Sequence, residues 1–390
     1  MISLNTLLYL SIMIFVGMAF GRLAKLCKLP NVTGYLVGGL ILGPSVLGIV
    51  PAQALEGMNL ISNVALGFIA FSIGNEFKLS YFKRVGVTPI VIAVLESLLA
   101  VVFVVAGLIL AGFEVPFALV LGSIAAATAP AATIMVIKQY KARGPMTETL
   151  LSVVAIDDAT ALIFFSICIA IAGAMSGNVS SLAESLLAPL VEIFGAVLLG
   201  FALGLLFLLP LRWFKKSGNR LALIFGFVFL GVGIADLLGV SSLLLCMAMG
   251  AALANFSREA DSVMKLTDGV TPPLFLLFFV TSGAELQLSV LPSIGLAGVI
   301  YVLLRVAGKF SGAWLGGKVC QAQESVRRYL GLALVPQAGV AIGLSLIATT
   351  AVPEYGATIR AIILCGTLIY EMVGPALAKL SLTKAGEIPE

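Results

Sequence analysis

From end to end the chain alternates apolar segments with short charged gaps, and the segments approach the length of about 20 residues that a helix needs to cross a bilayer. They fall near 5–21, 31–50, 58–76, 88–112, 115–137, 147–174, 185–210, 220–237, 239–256, 270–286, 290–316, 327–350 and 357–379. The stretch 220–256 is divided because Asp236 and Gly239 mark a tight turn. The first segment has no basic residue before it and Arg22, Lys25 and Lys28 after it, the wrong polarity for a cleaved signal peptide, so it is expected to remain as a span. Only 11% of residues are charged, against roughly 25% in a soluble domain. The expected fold class is an all-α polytopic membrane protein with 13 transmembrane helices.

The basic residues orient these spans. Of 23 Lys and Arg, 20 lie in alternate gaps or near the C-terminus: Arg22/Lys25/Lys28, Lys78/Lys83/Arg84, Lys138/Lys141/Arg143, Arg212/Lys215/Lys216/Arg220, Arg258/Lys265, Lys318/Arg327/Arg328 and Lys379/Lys384. The other gaps hold Glu56, Glu114, Glu184, Asp236, Glu285 and Glu354, with Arg360 as their single base. Positive charge favours the cytoplasmic side, so the N-terminus is expected outside, the C-terminus in the cytoplasm, and the protein in the cell membrane.

Two bases remain, Arg305 and Lys309, both inside an apolar segment. Another apolar segment carries Asp157 and Asp158 side by side, with no base nearer in sequence than Arg143. A carboxylate at bilayer depth costs a few kcal/mol even on lenient scales, so a proton, a cation or a basic side chain must compensate for it. These residues point to an ion- or proton-handling site. Nothing points elsewhere: the five cysteines are scattered singly, histidine is absent, and no basic cluster interleaved with aromatics suggests nucleic acid. Glu76, Glu96, Glu192 and Glu371 read as interfacial or structural.

Proline interrupts two spans, at Ala126-Ala-Thr-Ala-Pro-Ala-Ala-Thr133 and at Leu334-Val-Pro-Gln-Ala-Gly-Val-Ala341. Each proline deletes a backbone hydrogen bond and frees a carbonyl, which membrane depth tolerates only beside a partner or a cavity. The two spans stand seven apart and so run in opposite directions. Matching interrupted helices in inverted halves point to a secondary-transporter site. The expected organisation is a first repeat over 1–174, a linker helix over 175–219 and a second, inverted repeat over 220–390.

Several stretches then resemble the monovalent cation:proton antiporter-2 family, over essentially the whole chain. They are the Gly-rich Pro30-Asn-Val-Thr-Gly-Tyr-Leu-Val-Gly-Gly-Leu-Ile-Leu-Gly-Pro44, the Phe71-Ser-Ile-Gly-Asn-Glu76 close of the third span, the aspartate pair, Gly239-Val-Ser-Ser-Leu-Leu and Gly308-Lys-Phe-Ser-Gly312. The aspartate pair with a lysine is most similar to the sodium/proton branch. That resemblance implies a transporter rather than an enzyme, working without a cofactor as a homodimer. It implies Asp158 as the carboxylate that binds the proton and the monovalent cation, and Asp157 as the partner of Lys309. Where many relatives carry an arginine-glycine pair beside the second proline, this chain has Gln337 and Ala338, and Arg305 is a further departure that could share the pairing role. No Gly-rich nucleotide-binding domain is expected to follow the last span.

Residue chemistry is consistent with that expectation. Adjacent helical residues point about 100° apart, so one aspartate can pair with a base while the other faces a cavity. Burial disfavours every unpaired charge, so a proton and a cation compete for one carboxylate, and competition is exchange. Thr128, Thr133, Ser152 and carbonyls freed around Pro130 could add oxygen ligands, and Pro130, Thr133, Pro336 and Gln337 mark the broken helices. The expected function is electrogenic exchange of sodium or lithium for protons. The alternatives are potassium/proton exchange and sodium-coupled symport of an organic anion. An intramembrane aspartyl protease is excluded, because adjacent aspartates cannot face one another.

Overall fold

The computed structural model describes residues 5–74, 86–175, 182–286, 288 and 295–389. Glu76, Lys78, Lys83 and Arg84 lie outside the described residues, as do the side chains of Glu56, Glu184 and Glu192. In chain order the helices are α1 (Thr6–Leu26), α2 (Asn31–Leu42), α3 (Ala52–Glu56), α4 (Asn59–Gly74), α5 (Thr88–Leu110), α6 (Val115–Ile124), α7 (Pro130–Tyr140), α8 (Pro145–Met175), α9 (Leu182–Trp213), α10 (Ser217–Leu238), α11 (Ser242–Phe256), α12 (Ala260–Glu285), α13 (Gly295–Val319), α14 (Glu324–Ala333), α15 (Gly339–Ala351) and α16 (Pro353–Lys384). Among the described residues eight are long and apolar enough to cross a membrane: α1, α5, α8, the Ile193–Trp213 part of α9, α10, α12, α13 and α16. The chain is a multi-pass membrane protein.

Several boundaries depart from the hydropathy reading, among them the end of α2 at Leu42 rather than near 50. Helix α12 begins at Ala260, ten residues before the expected segment, and takes Pro272 and Pro273 into its interior. Its first turns carry Asp261, Lys265 and Asp268, so their helicity is hidden from a reading based on apolar runs. Helix α16 likewise runs on to Lys384 past an internal Pro375.

The chain folds as two compact units. The first comprises 1–19, 38–86 and 190–285, and its core is aromatic. Phe207 stacks on Phe227 at 4.4 Å between centroids, and Phe68 meets Phe225 edge-on at 4.8 Å. Offset and edge-on pairs of this kind add to plain burial.

The second unit comprises 20–37, 87–189 and 286–390 and holds Asp157, Asp158, Arg305 and Lys309. Within it, α13 packs closely on α5. Gly308, Gly312 and Gly316 form a stripe at helical spacing, and a Cβ on them would lie 2.6 Å from Ala100 Cα, 2.4 Å from Glu96 Cα and 2.8 Å from Ile92 Cα. Small residues let two membrane helices meet backbone to backbone. That closeness sets Lys309 of α13 against Glu96 of α5. Gly312→Ala is therefore expected to force the helices apart and destabilise the protein by about 1–3 kcal/mol. Gly343→Ala, where an added Cβ meets nothing within 4 Å, should be neutral or stabilising. Melting temperatures of the two purified variants test this; equal values would refute it.

Candidate functional site

Helix α6 stops at Ile124 and α7 starts with Pro130 at its first position. Ala129 is extended (φ −92°, ψ 109°), as a residue before proline must be, and proline is well placed where a helix begins, since the missing N–H would have no partner there. A second interruption separates α14 from α15 around Pro336. The two breaks touch: the Ala129 N–H donates to the Pro336 carbonyl at 2.8 Å.

Carbonyls freed by these breaks are satisfied largely from α13. Arg305 donates through Nε to Ala125 O (3.1 Å), through Nη2 to Ala127 O (2.7 Å) and through Nη1 to Val335 O (2.7 Å). Its guanidinium also lies 4.4 Å from the centre of the Tyr370 ring. Lys309 Nζ donates to Ala126 O at 2.5 Å and to Thr128 Oγ1 at 2.6 Å. Gln337 Nε2 donates to Ile124 O (3.0 Å) and Ala127 O (3.3 Å), while Gln337 Oε1 accepts from the Tyr301 hydroxyl at 2.9 Å. Two cations thus stand at the carbonyl end of α6, where the helix dipole is negative.

Lys309 also meets acid. Its Nζ lies 2.8 Å from Glu96 Oε2 and 3.1 Å from Asp157 Oδ2, and all three side chains are fully buried. Asp157 Oδ1 accepts from the hydroxyls of Ser97 (2.6 Å) and Thr160 (3.3 Å). Asp157 is therefore committed on both oxygens. Asp158 is the opposite case: it is 3% exposed, and neither carboxylate oxygen has a hydrogen-bond partner among the described residues.

The geometry brings together Asp157, Lys309 and Thr128, and it separates Arg305 from them. Arg305 was a candidate to share the pairing with Asp157; instead its three donor nitrogens are spent on carbonyls, because it lies one helical turn from Lys309, level with the freed carbonyl groups. Of the expected supplementary oxygen ligands, the two hydroxyls act as donors, which leaves their oxygen lone pairs free. Ser152 donates back to Glu148 O on its own helix, Thr133 donates to Ala333 O, and the carbonyls of residues 124–127 already accept from α13 and Gln337.

Sequence reasoning undervalued Glu96 and did not consider Ser97, Thr160, Tyr301 or Tyr370. The signal for Glu96 was available: an acid nine residues into a very apolar span is a functional candidate by default. The hydroxyls and tyrosines carry no comparable signal, since such residues commonly cap backbone in membranes. Among the described residues, no group of three or more His, Cys, Asp or Glu is arranged to hold a metal ion.

Comparison with known proteins agrees with this architecture. The family described as "Sodium/hydrogen exchanger, transmembrane" matches residues 10–379. The Na(+)/H(+) antiporter NhaS4 of Synechocystis is 25% identical over 361 residues, covering 84% of this chain and 86% of that protein. The ammonium/H(+) antiporter subunit AmhT of Alkalihalophilus pseudofirmus is 23% identical, with coverage of 95% and 92%. GerN of Bacillus cereus, a Na(+)/H(+)-K(+) antiporter, is 24% identical, with coverage of 87% and 88%. In fold, the chain is similar to the sodium proton antiporter MjNhaP1 of Methanocaldococcus jannaschii, with a TM-score of 0.75 over 99% of both chains at 20% identity. By its sequence match over nearly its whole length, the chain belongs to the transmembrane sodium/hydrogen exchanger family, a family of secondary cation/proton antiporters and not of enzymes.

Proposed function

We propose that this chain exchanges a monovalent cation, sodium or lithium foremost, for protons by competition at Asp158. The observation that carries the reading is the state of that side chain. A buried carboxylate with no protein donor on either oxygen is compensated only by a proton or a cation, and alternation between the two is the elementary step of antiport. Asp157, saturated by Lys309, Ser97 and Thr160 before the cation arrives, is the neighbour that raises the local negative potential. Thr128, held by Lys309, lies on the extended segment between α6 and α7 and supplies a further oxygen. Cation and proton are transported substrates, so the reading calls for no cofactor.

In this reading the exchange is electrogenic. Cation entry breaks the Asp157–Lys309 pair, the lysine gives up a proton as Asp158 gives up its own, and two protons move against one cation. The scaffold is thirteen spans, with Pro130 and Pro336 marking the crossed interruptions of two inverted repeats over 1–174 and 220–390, a linker between them, and a homodimer in the cell membrane. The names of the relatives cover sodium, potassium and ammonium, which makes potassium/proton exchange the alternative.

Proteoliposomes test the function: an imposed sodium or lithium gradient is expected to drive proton movement with no organic solute present, and more strongly than a potassium gradient. Dominant potassium-driven flux would select the alternative, and a requirement for an organic anion would refute antiport. Topology has its own test on a background without native cysteines. A cysteine beside Glu56 or Glu184 is expected to react with an impermeant thiol reagent from outside, and one beside Lys141 or Lys216 only after permeabilisation. The reverse pattern would overturn the thirteen-span arrangement.

A further inference from the structure

We infer that Glu96 is a second acidic anchor of Lys309, a positioning residue that keeps the lysine at the site independently of Asp157. The proposal rests on the transport reading above, since it concerns the same lysine. Its basis is a charge count inside one buried cluster. Glu96 Oε2 approaches Lys309 Nζ to 2.8 Å as an ion pair without hydrogen-bond alignment, while Asp157 Oδ2 accepts from Nζ at 3.1 Å, and all three side chains are fully buried. The two carboxyl groups also share a hydroxyl: Ser97 Oγ lies 2.6 Å from Asp157 Oδ1 and 3.2 Å from Glu96 Oε1.

Two acids thus stand against one base, on helices fixed independently of each other. Glu96 is locked by the backbone contact of α5 with Gly312, whereas Asp157 belongs to α8 and adjoins the cation site. When Asp157 turns toward an arriving cation, a lysine with a single partner would be left to swing. With Glu96 present, Nζ remains tied to Ala126 O and Thr128 on one side and to a carboxyl on the other, contacts that the neutral amine left after proton release still makes with its two N–H groups and its lone pair. Thr128 is thereby held in register for the ion.

Asp157→Asn or Glu96→Gln alone leaves one acid facing one base, a balanced pair. The double variant leaves a buried ammonium with no acid in ion-pair contact, and an unpaired buried charge is strongly destabilising. Melting temperatures of the purified proteins should therefore stay near the wild-type value in both single variants and fall by about 5 °C or more in the double variant. Adding Lys309→Gln to the double variant removes the orphaned charge and should restore most of the loss. That rescue separates electrostatic anchoring from packing, because a cavity or a lost shape would not be repaired by neutralising the lysine. A double variant that melts at the sum of its parents, or a triple variant no more stable than the double, would overturn the proposal. The melting cycle requires no transport, so its failure is distinct from failure of the transport reading, which shows in the flux of the wild-type protein and of Asp158→Asn.

Discussion

Asp158→Asn is expected to abolish cation-dependent proton flux, lowering it on the order of 100-fold, while leaving the protein folded. The two halves of that expectation have separate grounds. An amide neither carries a proton in the working range nor presents a negative charge, so neither competing substrate has a site. Stability should hold or rise, because neither oxygen of Asp158 accepts a hydrogen bond from the protein and none is lost on substitution. A buried carboxylate without a partner is a cost that the fold carries for function, and removing such a cost usually stabilises. Flux by purified protein in liposomes, beside its melting curve, gives both measurements. Retention of more than a few per cent of the flux would refute Asp158 as the exchange site. Loss of flux together with collapse of the fold would refute the claim that this side chain has no structural role.

What the sequence disclosed about this site follows from where the information lies. Asp157, Asp158, Arg305 and Lys309 announce themselves because charge is rare in apolar spans, and Pro130 and Pro336 because each removes a backbone hydrogen bond at a matching place in two oppositely directed spans. Their pairing is another matter. Arg305 and Lys309 lie one turn apart on α13, and no one-dimensional pattern says which reaches acid and which reaches carbonyl. The answer depends on the height at which α13 is set against α5, which the stripe Gly308, Gly312 and Gly316 decides by backbone contact. The same contact explains why Glu96 was undervalued. In a list of acids it is one of several, and only the closeness of the two helices brings it to Lys309. The early start of α12 was hidden for a simpler reason, since Asp261, Lys265 and Asp268 give its first turns a polar character.

Opposite consequences are expected from neutralising the two bases of α13. Arg305→Gln should cost mainly stability. Its guanidinium satisfies the carbonyls of Ala125, Ala127 and Val335, and a buried group left without its donor costs about 1–3 kcal/mol, so losing several at once should lower the melting temperature severely. The folded fraction should still exchange ions with the wild-type response to membrane potential, because Lys309 keeps Asp157 and Glu96. Lys309→Gln disturbs charge as well as backbone. It leaves Glu96 and Asp157 facing no base, and breaking a buried pair from one side typically costs about 3–5 kcal/mol. Any exchange that survives should have lost its dependence on potential, since the lysine proton is the one that makes the cycle carry net charge. Liposomes clamped with potassium and valinomycin, driven by a sodium gradient, distinguish the cases. Wild-type flux indifferent to the imposed potential would refute the electrogenic reading. Potential-dependent flux by Lys309→Gln, with Arg305→Gln having lost that dependence, would transfer the role from the lysine to the arginine.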